Sequence, residues 1–375
     1  MGISESIKIT EIDLIKYSIK YKFPSKIALG TSTGAENLII RIHTNTDHYG
    51  IGEGCTSKMV SGNTQSSLLE VAKFLAKKLK GKNPLAIEQR MKDLHNFIVG
   101  NNQVRYAIDV ALYDIIGKVN GLPLYSVLGG EKRDLMTDYT IFIQDSIEKG
   151  INQIQEALKK GFTAIKIKVG LNPEFDLRLI KTIRDELGFN FNLRLDANQG
   201  WDYPTAYKML NKLEKFKIQF IEQPLPKYDY LNLKRLRNSI NIPIIVDEAL
   251  FDYHDAFKLA SIEACDYFNM KLGKTGGINM AMKINNIAEG AGIKCMVGCF
   301  SDSRIGLSAA AHFASAFTNI AFLDLDSALF YSEDPIEGGI KYDNSNNSRI
   351  ILPDKPGHGA DIKEEFLKRQ EIITI

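Results

Sequence analysis

The sequence predicts an α/β protein, a (β/α)8-type TIM barrel that follows an N-terminal α+β domain. The barrel is indicated by eight short β-rich runs after about residue 130, which start about 23 to 29 residues apart and alternate with amphipathic helical stretches. The first domain is indicated by runs that alternate apolar and polar residues, followed by three helical stretches. Parallel strands need crossover helices, so eight regular alternations favour the barrel over a doubly wound sheet.

The predicted barrel strands can be located one by one. Short runs rich in β-branched and aromatic residues are typical of buried strands. Their first residues are Asp138, Ala164, Asn192, Phe220, Ile244, Tyr267, Lys294 and Ala321.

Both ends of the chain depart from this pattern. Antiparallel strands are predicted in "IKITEIDLIKYSIKYKF" and "ENLIIRIHTNTDHYGIGE", and helices in Ser66–Lys80, Pro84–Phe97 and Asn102–Val119. From Ala328 the period is lost, and the sequence predicts turns, short strands that return to the first domain, and a final helix in "DIKEEFLKRQE". We therefore predict an α+β domain over residues 1–130, a barrel over 131–327 and a C-terminal segment over 328–375.

Composition argues against several classes of function. The 375 residues carry a formal net charge of +2, which gives no electrostatic footprint for nucleic acid or a membrane surface. Four cysteines lie far apart without CxxC spacing, so neither a disulfide framework nor a zinc site is expected. We find no apolar run of about 18 residues and no signal peptide, which predicts a cytoplasmic protein without a membrane partner.

Ionisable residues concentrate where the predicted barrel strands end. In a (β/α)8 barrel, the carboxyl ends of all strands converge on one mouth, where active sites are built. Charges at this end of six of the eight strands are not explained by packing, and they predict an active site. The residues are Lys166, Lys168, Asp196, Glu222, Asp247, Lys271, Asp324 and Asp326.

Asp196, Glu222 and Asp247 end three consecutive strands. Three neighbouring carboxylates raise one another's pKa, so a divalent cation is the expected neutraliser. A ligand set of oxygens without His or Cys favours Mg²⁺, which keeps positions open for water or substrate oxygens. The sequence therefore predicts one Mg²⁺ site formed by these three residues.

Lys166 and Lys168 lie two residues apart in "AIKIKVG", on the same face of a buried strand. Two buried ammonium groups cost desolvation energy and repel each other, and neighbouring carboxylates with a cation make this cost tolerable. Crowding also favours the neutral amine of Lys168, which can then act as a base. Lys271, four strands further on, is expected to reach the mouth from the opposite side. Inversion of a stereocentre requires two such bases facing each other across one carbon atom.

Six motifs carry a family resemblance: "KIKVG", "LRLDANQGW", "IEQP", "DE" after "IIV", "MKLGKTGG" and "DLD". Together they resemble the muconate lactonizing enzyme subgroup of the enolase superfamily, and most of all its dipeptide epimerases. The resemblance covers nearly the whole chain and implies that the N-terminal domain is a capping domain, where "AIDVALYDIIGK" and "GLPLYSVLGG" match. Sites of this superfamily combine a Lys or His base with Mg²⁺, which stabilises an enediolate.

The resemblance also implies a role for each site residue. Asp324 and Asp326 match the DxD motif that holds the free α-ammonium group of a dipeptide. The C-terminal carboxylate of the dipeptide is expected on the Mg²⁺, with Lys166 adding positive charge. Lys168 and Lys271 are the expected catalytic bases, which invert the Cα of the C-terminal residue by 1,1-proton transfer. Contacts with the substrate backbone are expected from Thr140, Cys299 and Ser301.

One loop of the capping domain indicates which side chain the C-terminal residue of the substrate carries. Members of the family that act on L-Ala-D/L-Glu carry a basic residue there, whereas Gly30 stands at the matching position in this chain. Lys22, Lys26 and Arg304 are candidates to replace that residue. We predict L-Ala-L-Glu and L-Ala-D-Glu as the substrate pair, in cell-wall peptide metabolism, because no acidic residue of the loop marks a pocket for a cation. Glu36 is assigned to the following strand.

Other functions stay open. An epimerase for dipeptides with another side chain keeps every motif. A cycloisomerase or an o-succinylbenzoate synthase shares the barrel and the lysines but has no need for DxD, and N-acylamino acid racemisation also occurs in the family. A catalytically silent barrel that acts as a binding protein could lose one lysine or one metal ligand without penalty, and none is missing here. The resemblance further suggests a homo-oligomer.

Overall fold

The computed structural model describes residues 7–375. Its N-terminal domain is built on a four-stranded antiparallel sheet in the order β17-β1-β2-β3. Three of these strands come from the start of the chain and one from its end, so the sheet joins both ends. The strands are β1 (Ile9–Ile27), β2 (Gly30–Thr44), β3 (Tyr49–Gly54) and β17 (Ile372–Thr374).

Helices cover one face of this sheet. The longest of them, Asn102–Asn120, packs directly on the backbone of β3. A Cβ atom at Gly50 would lie 1.9 Å from Ala111 O, and one at Gly52 would lie 2.0 Å from Ala107 O. Side chains alternate along a strand, so Glu53 of "YGIGEG" points to the opposite face. The helix predicted from Pro84 starts three residues later. The helices are α1 (Gln65–Leu79), α2 (Ile87–Phe97), α3 (Asn102–Asn120) and α4 (Leu124–Val127).

Eight parallel strands then form a single sheet in chain order, which confirms the predicted TIM barrel. The first and last of them meet where Asp138 N donates to Leu323 O at 3.4 Å. The strands are β5 (Tyr139–Ile141), β6 (Ala164–Lys168), β7 (Asn192–Asp196), β8 (Ile218–Glu222), β9 (Ile244–Val246), β10 (Tyr267–Lys271), β11 (Lys294–Gly298) and β12 (Ile320–Asp324).

Helices connect these strands around the barrel. Their starts carry side-chain caps that the sequence supplies, such as Asn172, Asp202 and Ser303, each of which accepts a bond from a backbone N–H of the first turn. The helices are α5 (Ile147–Lys159), α6 (Pro173–Leu187), α7 (Tyr203–Leu213), α8 (Tyr230–Arg237), α9 (Tyr253–Ser261), α10 (Leu272–Thr275), α11 (Ile278–Gly290) and α12 (Arg304–Ala316).

Strand register aligns the charged residues at the mouth of the barrel. Lys168 is the register partner of Asp196, and Asp196 is the partner of Glu222. On the far side, Lys271 is aligned with Gly298, which is aligned with Asp324. Residues aligned in this way lie side by side on neighbouring strands, so the charged side chains are grouped at the carboxyl ends of these strands.

The C-terminal segment corrects one prediction. The helix predicted in "DIKEEFLKRQE" is only α13 (Glu364–Leu367), and the chain then forms β17, which pairs with Asp13–Ile15 of β1. The start of the predicted helix is instead part of the strand Ala360–Ile362, which pairs with Ile336–Gly338. After the helix, the free edge of β1 offers ladder hydrogen bonds to the β-branched run at residues 372–374. The remaining short strands are β4 (Leu135–Met136), β13 (Ile336–Gly338), β14 (Lys341–Tyr342), β15 (Arg349–Ile351) and β16 (Ala360–Ile362). Within residues 7–375, no helix combines the length and the hydropathy needed to cross a bilayer.

Candidate active site

A cavity of about 280 Å³ opens at the carboxyl ends of the barrel strands. One wall comes from the barrel, and the other from β1, β2 and the segment 56–60 of the N-terminal domain. All predicted site residues line it except Asp196 and Glu222, which are fully buried. The charged residues of the barrel wall are Lys166, Lys168, Asp247, Lys271, Asp324 and Asp326.

Glu222 has a buried oxygen atom without a hydrogen-bond partner. Its Oε1 accepts a hydrogen bond from Asn269 Nδ2 at 2.6 Å, whereas Oε2 has no hydrogen-bond donor. Burial, and then the negative charge of Asp196, raise the pKa of Glu222 to about 7. A buried carboxylate oxygen without a donor is costly, and a hard cation is the ligand that would satisfy it. The three carboxylates at this point therefore have the donor chemistry of a Mg²⁺ site.

Two of the strand-end lysines are paired with the other two carboxylates. Lys168 Nζ donates to Asp196 Oδ2 at 2.5 Å, and Lys271 Nζ lies 2.8 Å from Asp247 Oδ2. Burial opposes the charged form of Lys271, but the charge of Asp247 outweighs it and raises the pKa of Lys271 above its usual value. The strands β6 and β10 are four strands apart in a barrel of eight, so the two amines approach the cavity from opposite sides.

Lys166 is buried between two carboxylates. It donates to Asp324, and its Nζ lies 3.8 Å from Glu222 Oε2. Burial opposes the charged form, but the charges of Asp324 and Glu222 outweigh it and raise the pKa of Lys166 well above its usual value. Lys166 is therefore held as a cation although it is buried.

A second group of carboxylates lies where β5 meets β12. Oxygen atoms of Asp138, Asp324 and Asp326 come within 4.8 Å of one another. Arg194 Nη1 donates to Asp138 Oδ2 at 2.8 Å, and Lys166 donates to Asp324. An arginine stays charged in proteins, so this group keeps a permanent cation of the chain beside it.

Asp326 is oriented by the first barrel strand. Its Oδ2 accepts a hydrogen bond from Thr140 N at 2.7 Å, and its side chain does not cap the short 3₁₀ helix that follows. Burial, and then the charge of Asp324, raise the pKa of Asp326 to about 6. The pair of carboxylates thus faces the cavity as an anionic wall and is suited to a cationic group of a ligand.

The segment 299–303 after β11 brings Cys299, Phe300 and Ser301 to the cavity. Tyr21 Oη donates to Ser301 Oγ at 2.6 Å, so the N-terminal domain contacts this segment directly. Phe300 lies against Lys271, whose Nζ is 5.2 Å from the centre of the ring.

The proposed replacements for the missing basic residue are placed elsewhere. Lys22 donates to Leu329 O, Lys26 pairs with Asp145, and Arg304 pairs with Asp334, and none of the three lines the cavity. Their side chains contact neighbours outside it, so the structure gives no support for them as replacements. Glu36 lies in β2, as predicted, and it also lines the cavity, 3.7 Å from the Nζ of Lys58.

Gly30 itself is explained by its surroundings. Its φ of +149° lies in a region that favours glycine, and a Cβ atom there would come within 2.5 Å of Met59 Sδ. A basic side chain at this position would need the Met59 side chain to move and the backbone to keep a positive φ.

Three further residues of the site were missed by the sequence analysis. Asn198 and Glu248 line the cavity, and Asn198 Nδ2 donates to Glu248 Oε1 at 3.1 Å. Lys274 is fully buried and donates to both the side chain and the backbone carbonyl of Asp247. The position of Glu248 directly after Asp247 was an available signal, whereas Lys274 stands in the glycine-rich turn "LGKTGG", which predicts no burial.

Two family comparisons cover most of the chain. Residues 9–129 match the family described as "Mandelate racemase / muconate lactonizing enzyme, N-terminal domain", and residues 150–366 match "Enolase C-terminal domain-like". The chain belongs to the enolase superfamily. Its N-terminal domain is therefore the capping domain of that superfamily.

Relatives that are named for an activity align with nearly the whole of this chain. A protein named D-Ala-D/L-Ala epimerase from Cytophaga hutchinsonii is 39% identical over 98% of this chain and 99% of its own. The L-Ala-D/L-Glu epimerase of Clostridium acetobutylicum is 37% identical over 94% of this chain and 98% of its own. These relatives confirm the prediction of an isomerase of the epimerase and racemase class.

A solved structure matches the same extent of chain. The dipeptide epimerase of Cytophaga hutchinsonii, in a crystal structure with Mg and the dipeptide D-Ala-L-Val, superposes with a TM-score of 0.96. It is 39% identical and covers 98% of this chain and 100% of its own. The barrel and the capping domain are therefore arranged as in that enzyme.

Proposed function

We propose that this protein is a Mg²⁺-dependent dipeptide epimerase, which inverts the Cα of the C-terminal residue. The proposal rests on one cavity that two lysines approach from opposite sides and that a pair of aspartates lines. Three carboxylates lie at its barrel wall, and one of them has a buried oxygen atom without a hydrogen-bond donor. The names of the relatives support a dipeptide as substrate.

Asp196, Glu222 and Asp247 are the proposed ligands of the cation. We favour them over the group around Asp138, because that group has Arg194 as a permanent counter-ion. Bound Mg²⁺ supplies Lewis-acid stabilisation of charge on the substrate carboxylate. Lys166 adds a second positive charge at the same place, since it is held in its protonated form.

Lys168 and Lys271 are the proposed acid and base on the two faces of the substrate. One removes the α-proton, which leaves an enediolate, and the other delivers a proton to the opposite face. Each amine must first release its carboxylate, Asp196 or Asp247. A cation held by Asp247 would offset the negative charge that raises the pKa of Lys271, which would favour the neutral amine that a base requires.

Asp324 and Asp326 are the proposed site for the free α-ammonium group. Both line the cavity, and the N–H of Thr140 fixes the orientation of Asp326. Charge-assisted hydrogen bonds to this pair position the dipeptide, so that its C-terminal Cα lies between the lysines. The same pair discriminates against substrates whose nitrogen is acylated.

Two kinds of dipeptide are candidates for the preferred substrate, and they differ in the side chain of the C-terminal residue. L-Ala-D/L-Glu is supported by the resemblance and by the Clostridium relative. A dipeptide with a small, uncharged C-terminal residue is favoured by the cavity, where Gly30 is closed off by Met59 and the charge of Lys58 faces Glu36. We therefore predict that the cavity has no positively charged group held in place to bind the carboxylate of a glutamate side chain.

A panel of dipeptides tests this proposal. L-Ala-L-Ala, L-Ala-L-Leu and L-Ala-L-Glu are incubated with the protein and Mg²⁺, and the epimers are separated by chiral chromatography. We expect inversion of the C-terminal residue only, and a loss of about 10²-fold in kcat/KM for the N-acetylated forms, which lack the ammonium group. Equal turnover of N-acetylated and free dipeptides would contradict the role of Asp324 and Asp326, and no inversion of any dipeptide would contradict the function.

A further inference from the structure

Glu53 of the capping domain is buried against the barrel and surrounded by hydrogen-bond donors. Its carboxylate accepts from Ser303 N at 3.1 and 3.0 Å, from Ser303 Oγ at 2.7 Å and from Gly306 N at 3.2 Å. Asn37 Nδ2 donates to it at 2.7 Å, and Tyr17 Oη donates as well. These donors include the first turn of α12, where the helix dipole favours an anion.

The same surroundings fix the segment 299–303. Asn37 Nδ2 also donates to Ser301 O at 2.6 Å. Asp302 accepts from Tyr106 Oη at 2.9 Å and from Phe300 N at 2.7 Å. One buried network, formed mostly by the capping domain, therefore holds a segment of the barrel that lines the cavity.

We propose that Glu53 is a positioning residue that holds the segment 299–303 against Lys271. The link to Lys271 is Phe300, whose ring lies against its amine. Glu53 does not line the cavity, so it acts through Ser303 and Phe300 rather than on the substrate. The proposal rests on the proposed function, in which Lys271 transfers a proton.

Glu53→Gln is the first test, because it keeps the shape of the side chain and turns one oxygen that accepts hydrogen bonds from its neighbours into an amide NH2. Misplacement of about 1 Å at a catalytic group costs about 10²-fold in rate, so we expect kcat to fall by about that factor. The thermal shift on adding Mg²⁺ should stay, since the proposed ligands lie at the ends of β7 and β8 and directly after β9. A kcat equal to that of the wild type would overturn the proposal.

A double-mutant cycle separates positioning from general destabilisation. If Glu53 acts through Phe300, then Glu53→Gln and Phe300→Ala lower kcat by less in combination than the product of their separate effects. Multiplicative effects would overturn the proposed route. Asp13→Asn is the matched capping-domain control, because Asp13 bonds to His43 and Thr374, and we expect it to leave kcat unchanged.

The rate at which iodoacetamide alkylates Cys299 measures the accessibility of the segment 299–303 without any substrate. Cys299 is partly exposed, while Cys55, Cys265 and Cys295 are buried, so mass spectrometry can follow it selectively. We expect Glu53→Gln to raise the alkylation rate of Cys299 about tenfold. If Glu53→Gln does not fold, Asn37→Ala is the second variant, and we expect it to raise the rate as well. Unchanged alkylation in a folded variant would overturn the proposal even if no dipeptide were turned over.

Discussion

Replacement of either Lys168 or Lys271 by alanine is expected to abolish epimerisation, with kcat reduced by about 10⁴-fold or more. Each lysine is proposed to serve one face of the substrate, and the two strands that carry them lie on opposite sides of the barrel. A variant that keeps one lysine can still remove the proton on its own side. In D₂O, each variant should therefore exchange the α-proton of one stereoisomer only, and the two variants should select opposite isomers. Proton NMR of both dipeptide epimers measures this directly.

A matched control accompanies these two variants. Lys159→Ala removes an exposed lysine that pairs with Glu156 on a barrel helix, and it should retain the activity of the wild type. Full epimerase activity in Lys168→Ala or Lys271→Ala would contradict the assignment of two bases. Exchange of both isomers by one variant would do the same.

Glu222→Gln is expected to remove both the response to Mg²⁺ and the activity. In the wild type, a Mg²⁺ concentration of about 100 times Kd should stabilise the folded state by about 2.7 kcal/mol, because the cation binds only that state. The amide of the variant offers one neutral oxygen in place of a carboxylate, so the shift in melting temperature on adding Mg²⁺ should disappear. Differential scanning fluorimetry with and without EDTA measures it.

The protein free of metal gives this prediction a second readout. Glu222 Oε2 is buried without a hydrogen-bond donor, so replacing the carboxylate with a neutral amide should not lower the melting temperature in EDTA. Glu156→Gln, at an exposed position, is the control and should keep the full Mg²⁺ shift. A full Mg²⁺ shift in Glu222→Gln would place the cation elsewhere, and the group around Asp138 would be the next candidate.

The barrel was predictable from sequence because its signals are local and repeated. Each strand is a short buried run, and the strand-end charges stand out against it, so Lys166, Asp247 and Asp324 could be assigned to one mouth without knowing any contact. The family resemblance then supplied their roles. These roles stay predictions, since the structure shows where the side chains lie and not what they do to a substrate.

The features that escaped prediction depend on contacts between distant parts of the chain. The role of Gly30 depends on the approach of Met59, and β17 forms only because β1 leaves an edge free. Glu53 looks like an ordinary strand residue in "YGIGEG", yet it binds the start of a helix 250 residues away. Local patterns of charge and hydropathy carry no information about such partners.

Deuterium uptake by a dipeptide tests the proposed epimerisation most directly. The wild-type protein is incubated in D₂O with Mg²⁺ and one epimer of L-Ala-Ala, L-Ala-Leu or L-Ala-Glu, and the position of the label is read by tandem mass spectrometry and chiral analysis. We expect one deuterium at the Cα of the C-terminal residue, together with inversion at that carbon. Deuterium in the N-terminal residue, or none in any dipeptide, would contradict it.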